Sequence, residues 1–350
     1  MTLVALNAGS STIKYAIFDV RGGEPTLRER AVLEGSRADV ALAELSGKLT
    51  EAPAAVAHRI VHGGAQYSAS VRVDDAVRDA LLALVPMAPA HQPASLACLD
   101  AARAAFPASM HVACFDTAFH RTHPEVADWF AIPKEFHAQG IRRYGFHGLS
   151  YANVAVQLPE GRVVCLHLGN GASACAMRDG ESQASSMSFS VLDGLPMGTR
   201  PGQLDAGVLV HWLREGRSLA EIERVLYKES GLRGLSGTSS DMRTLLATDT
   251  AEARFAVEYF VHYLVREVGA MAAALGGVDT LVFTGGIGEH AAPIRERVVR
   301  ALGWLGFELD AAANAAHARC ITTAGSVRRV CIVAADEERT MVREALGLLG

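Results

Sequence analysis

Residues 6–19 read LNAGSSTIKYAIFD, and the way this stretch is parsed decides the fold. The small polar run Asn7-Ala8-Gly9-Ser10-Ser11-Thr12 has the look of a phosphate-binding turn. In a P-loop such a turn ends in Gly-Lys-Ser/Thr and opens a helix. Here Ile13, Tyr15 and Ile17 alternate with Lys14, Ala16 and Phe18, a period of two rich in β-branched and aromatic residues, which predicts a strand. Asp19 to Gly23 closes that strand, and Leu3-Val4-Ala5-Leu6 precedes the turn as another. The turn therefore joins two strands of a hairpin, and the fold must be one that places a polar turn at a hairpin's end.

A second copy of this pattern lies at residues 163–180, VVCLHLGNGASACAMRDG. An apolar strand leads to Gly169-Asn170-Gly171-Ala172-Ser173, and a second strand ends at Arg178-Asp179-Gly180. Recurrence at about half the chain length predicts two similar folding units. If they face each other, both turns line one cleft. Between the hairpins, 55–61 and 110–115 read as strands and 74–85 and 94–105 as helices. After the second hairpin, helices are expected at 206–215, 218–229 and 250–275. In the last of these Phe255, Tyr259, Phe260, Tyr263, Leu264, Val268 and Met271 fall at helical spacing, a stripe expected in the core, with a subunit interface as the alternative. This order of elements is that of an α/β protein.

The 350 residues, half of them hydrophobic and a fifth charged, can form two cores. A net charge of -5 with scattered Lys and Arg offers no basic surface for nucleic acid, so a small-molecule ligand is expected. No apolar run reaches the ~20 residues of a membrane span, and no signal-peptide pattern follows Met1, so a cytoplasmic protein is expected. Cys98, Cys114, Cys165, Cys175, Cys320 and Cys331 show no Cys-x-x-Cys spacing and are expected as buried free thiols.

A third glycine-rich segment, 281–299 (LVFTGGIGEHAAPIRERVV), runs from a strand through Gly285-Gly286-Ile287-Gly288 toward a helix whose first turn holds Glu289. Such a junction lets backbone approach a nucleotide and points N–H groups at it. A fourth polar turn is expected at 234–243, GLSGTSSDMR. Arg59 lies inside a strand-like run and Arg200 in a tight turn, MGTRPG. A salt bridge accounts for either alone, and so does a bidentate grip on carboxylate or phosphate. Asp116 ends an apolar strand and His147 sits in YGFHG, and strand ends are where open α/β sheets place their sites.

LNAGSSTIKY, AHRIVHGG, MAPAHQPAS, CFDTAFH, YGFHG, HLGNGAS, MGTRPGQLD, SGTSSDMR, FTGGIGE and DEE at 336–338 occur in this order, and the sequence thereby resembles the acetate kinases and their propionate- and butyrate-kinase relatives. The resemblance runs nearly end to end. It implies two duplicated RNase H-like domains of the actin, sugar-kinase and Hsp70 type with a nucleotide cleft between them. Residues 1–117 with 338–350 would form the first, and 118–337 the second, which would carry most nucleotide contacts. It implies Mg²⁺, with Mn²⁺ as a substitute, held by Asn7 and Glu337, and Lys14 along the phosphates of ATP or ADP. His167, Leu168, Gly169, Asn170 and Gly171, then Asp241, Met242 and Arg243, then Gly285, Gly286, Ile287, Gly288 and Glu289 would contact the nucleotide. Arg59 would bind the substrate carboxylate, Asp116 would be the catalytic acidic residue, and His147 with Arg200 would stabilise the phosphoryl group in transit. Val61, Ala90, His91, Phe146 and Val191 would border the substrate.

The activity so implied is reversible, in-line phosphoryl transfer from ATP to acetate, in a homodimer. A propionate or other short-chain acid kinase is the alternative, then a nucleotide-gated binding module or a phosphohydrolase. The chain departs from the family pattern at Thr12, where Ser is usual, at Ala90, where Leu is usual, and at Val191, where Pro is usual. It is also shorter before AHRIVHGG and between YGFHG and HLGNG. Loss of the Leu side chain at Ala90 is expected to leave room for a longer acyl chain.

Overall fold

The computed structural model describes residues 1–9, 12–34, 38–89 and 91–350. The chain divides into two compact units. One comprises Met1–Arg121, His147–Asn153 and Asp336–Gly350, the other Thr122–Phe146 and Val154–Ala335.

The first unit is built on a six-stranded sheet. Strands β1 (Thr2–Ala8) and β2 (Thr12–Arg21) pair antiparallel as the hairpin reading requires, with Asn7 opposite Lys14. Ser10 and Ser11 of the turn lie outside the described residues. A third antiparallel strand, β3 (Glu24–Glu34), follows. Its alternation is of Glu and Arg with small apolar residues on an exposed edge, too polar to register as a strand in sequence. Then come β4 (Ala55–Ile60), β5 (Val71–Arg72) and β6 (Met110–Phe115), in the sheet order β3-β2-β1-β4-β6-β5. β1 is parallel to β4, and β4 to β6.

Helices cover both faces, which is why β1 is a continuous apolar run rather than an alternating one. Leu3 and Ala5 pack with Met341, Val342 and Ala345 of the C-terminal helix Glu337–Leu349. Val4 and Leu6 pack with Leu42 and Leu45 of the helix Ala38–Gly47 and with Cys98 and Ala102 of the helix Gln92–Ala105.

The second unit repeats this plan. β7 (Arg162–Leu168), β8 (Ala172–Arg178) and β9 (Glu181–Ser185) form an antiparallel meander, and β10 (Thr280–Thr284) and β11 (Arg329–Ile332) add in parallel, in the order β11-β10-β7-β8-β9. Replace β7 to β11 by β1, β2, β3, β4 and β6 and the order is that of the first sheet. Even the irregularity in the second hairpin recurs: the register shifts between Ile17 and Phe18 in one and between Ala176 and Met177 in the other. The duplication inferred from two polar turns is thus a duplication of sheet topology.

Three expectations are corrected here. In the helix Ala251–Leu275 the core stripe is Ala256, Val257, Phe260, Leu264, Val268 and Met271, whereas Phe255 is 54% exposed and meets the half-buried Tyr259 at a tilt, and Tyr259 in turn meets the half-buried Tyr263. Helical spacing identifies a face without fixing how wide the buried part is. Second, the glycines at 285–288 do not precede a helix; they form its start, in Gly285–His290, and a second helix runs from Ala292 to Ala301. Third, Cys320 is exposed, while the other five thiols are buried.

Buried histidines give the first unit a pH dependence. His58 Nε2 meets His111 Nδ1 at 3.0 Å, and His111 Nε2 meets the Phe106 carbonyl at 3.1 Å. Burial holds both rings below their ordinary pKa. It takes His62 from 6.5 to about 4, with Arg121 adding to the effect. These rings are neutral in the folded state, while the unfolded chain takes up protons first as pH falls through 6.5. Their stability contribution is therefore full above that value and is lost toward pH 4. For His62 it amounts to roughly 3 kcal/mol. Urea midpoints should fall between about pH 7 and about pH 4.5, and His62→Gln should flatten the slope. Identical slopes for the two proteins would refute this assignment.

Candidate active site

In the first unit, parallel pairing sets Arg59 of β4 beside Asp116, the residue that follows β6: the Asp116 amide donates to the Ile60 carbonyl at 3.1 Å. The guanidinium then grips the carboxylate edge-on, Nε to Oδ1 at 2.9 Å and Nη2 to Oδ2 at 2.7 Å. Its Nη1 donates to Asn7 Oδ1 at 3.4 Å and lies 3.1 Å from Glu337 Oε2. Asn7 Nδ2 donates to the same Glu337 oxygen at 3.5 Å. Strand β1 and the start of the C-terminal helix thus converge on one arginine. Burial opposes the charge of Arg59, but Asp116 and Glu337 outweigh it and its pKa stands above the ordinary value. Asp116, only 2% exposed, has its carboxyl raised by burial against the pull of Arg59.

His147 abuts this cluster through its neighbour. Its φ of 58° is in the left-handed region, which few non-glycine residues adopt and which is often found at functional sites. Gly148 donates its amide to the Asp116 carbonyl at 2.8 Å, and a Cβ on Gly148 would come within 2.3 Å of that oxygen. Only glycine permits the approach. His91 starts the helix Gln92–Ala105, and Val61 is buried just after β4. Lys14 is exposed on β2. Ala90 lies outside the described residues.

The second unit holds a cavity of about 550 Å³. Of the residues expected around a nucleotide, Gly169, Asn170, Asp241, Met242, Arg243, Gly286 and Ile287 line it. His167, Leu168, Gly171, Gly285, Gly288 and Glu289 do not appear among its walls; the Glu289 carboxylate instead accepts from the Ala335 amide at 3.0 Å. Ser240, Leu246, His290, Ala291 and Pro293 are wall residues that sequence reasoning missed. They adjoin the glycine-rich motifs, and it was the helical packing of those motifs that brought them to the wall.

Asp241 caps the helix Met242–Ala247, accepting from the amides of Arg243 and Thr244, and its carboxylate also takes the Arg243 guanidinium at 2.9 Å. These bonds, the Arg243 side chain first, hold its pKa down.

Sequence reasoning also missed Arg295. Fully buried, it donates to the Gly288 and Glu289 carbonyls, both at 2.8 Å, and to Asn314 Oδ1 and Asn314 O at 2.8 and 2.9 Å. It thereby braces the helix that carries Gly286 and Ile287. Burial takes its pKa down to about 10.

Arg200 stands apart. Among the described residues its side chain makes one hydrogen bond, from Nη1 to the Val191 carbonyl at 2.7 Å. Among the described residues it has no carboxylate partner, and burial lowers its pKa to about 10. Phe146, in the same unit, is buried.

Asn170 and the segment before Arg200 are close. Gly198 donates to the Asn170 carbonyl at 3.0 Å, and a Cβ on Gly198 would lie 2.2 Å from Asn170 Oδ1. In Gly198→Ala the flexible amide must swing from the cavity wall. If Asn170 contacts ATP, as the family resemblance implies, KM for ATP should rise roughly tenfold, the worth of one good hydrogen bond, with thermal stability retained. An unchanged KM would mean that Asn170 does not touch the nucleotide.

Two sheets of one strand order, each starting from a hairpin with a polar turn, define the actin, sugar-kinase and Hsp70-like fold. Within it, partly buried arginines and a cavity walled by glycine-rich segments suit a phosphotransferase. The Acetokinase family profile matches residues 38–343, and the chain belongs to that family. The acetate kinase of Methylocella silvestris is 47% identical over 99% of this chain and 98% of its own. Their alignment runs over 403 positions, against 350 residues here, so the relative carries insertions that this chain lacks. The acetate kinase of Porphyromonas gingivalis superposes with a TM-score of 0.89 at 32% identity, covering 100% of both chains. The propionate kinase of Francisella tularensis does so with a TM-score of 0.89 at 34% identity, covering 98% of each.

Proposed function

We propose that the protein transfers the γ-phosphoryl group of ATP to the carboxylate of acetate, reversibly, giving acetyl phosphate and ADP. The observation that carries the reading is Arg200, a partly buried guanidinium with no carboxylate among the described residues to neutralise it. Such a group is suited to an anionic ligand, and a transferring phosphoryl group spreads negative charge over three oxygens. A carboxylate is already nucleophilic, so the protein needs little general-base work; it must hold anions together and stabilise the developing charge.

In the first unit, Asp116 orients Arg59 by its two-point grip, and the second hydrogen on Nη2 remains as a donor to a substrate carboxylate. His147 would act with Arg200 on the phosphoryl oxygens. Val61, His91, Phe146 and Val191 would border the acyl group. Asn7 and Glu337 offer oxygen donors of the kind Mg²⁺ takes, one carboxylate and one amide, leaving positions for phosphate and water. Among the described residues no group of three or more His, Cys, Asp or Glu forms a cage, which agrees with an ion bound largely through its substrate. When bound, Mg²⁺ supplies charge neutralisation to the phosphates. Lys14 would lie along those phosphates. The cavity walls at Gly169, Asn170, Asp241, Met242, Arg243, Gly286 and Ile287 would take ATP, aided by His167, Leu168, Gly171, Gly285, Gly288 and Glu289.

The division into RNase H-like halves at 1–117 with 338–350 and 118–337 belongs to the same proposal. So does a homodimer, whose contact the outward aromatic ladder of Phe255, Tyr259 and Tyr263 would supply. No helix among the described residues is long and apolar enough to cross a membrane, and a cytoplasmic location is proposed on that ground together with the nucleotide substrate.

The test is trapping with hydroxylamine: ATP and acetate should give acetohydroxamate in proportion to ADP. ADP released without hydroxamate would point to a hydrolase or a nucleotide-gated module. The likeness to a propionate kinase supports a second reading, propionate as acceptor. Parallel kcat/KM values for the two acids decide between them.

A further inference from the structure

Cys320 and Cys331 face each other across an antiparallel bridge at the outer edge of the second sheet. Two backbone bonds bracket them, the Ile321 amide to the Val330 carbonyl at 3.0 Å and the Ile332 amide to the Arg319 carbonyl at 2.9 Å. The cysteines therefore occupy a non-hydrogen-bonded pair. In that geometry opposed Cα atoms approach to about 4.5 Å with side chains on one face. That is within the ~4.4–6.8 Å a disulfide spans.

The two thiols differ in access. Cys320 is exposed, with its Sγ 3.2 Å from Thr322 Oγ1, and Cys331 is 7% exposed. Burial raises the Cys331 thiol, Cys320 raises it further, and Arg329 and Arg319 pull the other way. Cys165 and Cys175 also stand opposite each other, on β7 and β8, but both are fully buried, so no soluble oxidant reaches them. The remaining pair, Cys98 and Cys114, are buried on opposite faces of the first sheet.

We propose that Cys320 and Cys331 form a reversible cross-strand disulfide, a thiol-redox site on the second unit that is independent of its phosphotransfer chemistry. The oxidant is a small-molecule disulfide such as oxidised glutathione. The Cys320 thiolate attacks one of its sulfurs, the S–S bond breaks, and one glutathione thiolate leaves and takes up the proton that Cys320 lost. The Cys331 thiolate then attacks Cys320 Sγ and expels the second glutathione, which takes the second proton. Two protein thiols are oxidised by two electrons and one glutathione disulfide is reduced to two thiols.

The bond fastens a segment that already supports the cavity. Leu309 and Thr322 form a second bridge, and Asn314 and His317 both bind Arg295, the arginine that holds the helix Gly285–His290. Oxidation adds a covalent tie between this segment and β11.

Full-length protein is incubated with oxidised glutathione, digested with trypsin without reduction and mapped by mass spectrometry. Arg319, Arg328, Arg329 and Arg339 place the two cysteines on separate peptides, 320–328 and 330–339. The expected product is these peptides joined, lost on treatment with dithiothreitol, with the titratable thiol count reduced by two. Cys331→Ser should retain glutathione on Cys320, and Cys320→Ser should leave Cys331 unmodified. Oxidation should raise the thermal midpoint of the wild type by roughly 2–4 °C and leave Cys320→Ser unchanged. A stable glutathione adduct on wild-type Cys320 with Cys331 still free, or no reaction of either, would overturn the site. A cross-link that leaves the midpoint unmoved would overturn the fastening role.

Discussion

Arg200→Ala is expected to lower kcat/KM for acyl phosphate formation by about 10²- to 10³-fold, the usual cost of removing one preorganised charge from a desolvated site. The fold should survive, because this guanidinium contributes little to it: its side-chain bond is to the Val191 carbonyl, and its partial burial is uncompensated by any carboxylate among the described residues. Unfolding free energy should change by less than about 1 kcal/mol. Arg200→Lys should recover only a small part of the rate, since an ammonium cannot present the planar fork to two phosphoryl oxygens. The pairing of lost rate with retained stability is the diagnostic. A variant with parental kcat/KM would remove Arg200 from the site, and with it the observation on which the proposed reaction rests.

Asp116→Ala should behave in the opposite way, losing stability as well as rate. The carboxylate is 2% exposed and neutralises Arg59 through bonds of 2.7 to 3.2 Å. Truncating one member of a buried ion pair leaves the other charge without its partner and costs about 3 kcal/mol or more. Glu337, at 3.1 Å from Nη1, holds part of that charge and keeps the loss at the low end of the range. Replacing both members by apolar residues, Arg59→Met with Asp116→Leu, should restore most of the lost stability without restoring activity. Urea denaturation of the wild type, Arg59→Met, Asp116→Leu and the double variant in one cycle tests this. Additive losses in the double variant would show that the pair is not coupled.

These two arginines show what a sequence holds and what it withholds. Both are conspicuous in sequence, Arg59 inside a strand-like run with no place for a surface charge and Arg200 in a tight turn. Whether such a residue is a salt-bridge partner or an unsatisfied charge depends on what a parallel strand brings alongside. Pairing of β4 with β6 puts Asp116 against Arg59 across 57 positions of sequence, and nothing comparable reaches Arg200.

The hairpins at 6–19 and 163–180, their repetition, the strands between them and the glycine-rich segment at 281–288 could be read directly, because a polar turn between β-branched runs is a local signal carried by neighbouring residues. Ordered motifs spread over the whole length were enough to name the family. β3 escaped because an exposed edge strand needs no apolar period, and the exposed position of Phe255, with Tyr259 and Tyr263 half-buried, escaped because spacing sets a helical face but not what covers it. Ser240, Leu246, His290, Ala291 and Pro293 became cavity walls, and Arg295 a buried brace, only through the packing of helices far apart in sequence. Local alternation and turn chemistry thus determined the elements and their duplication. Strand pairing and burial, which join residues that are not neighbours in sequence, decided which charges are neutralised, which one has no carboxylate beside it among the described residues, and which two of six thiols stand opposite each other at an exposed edge.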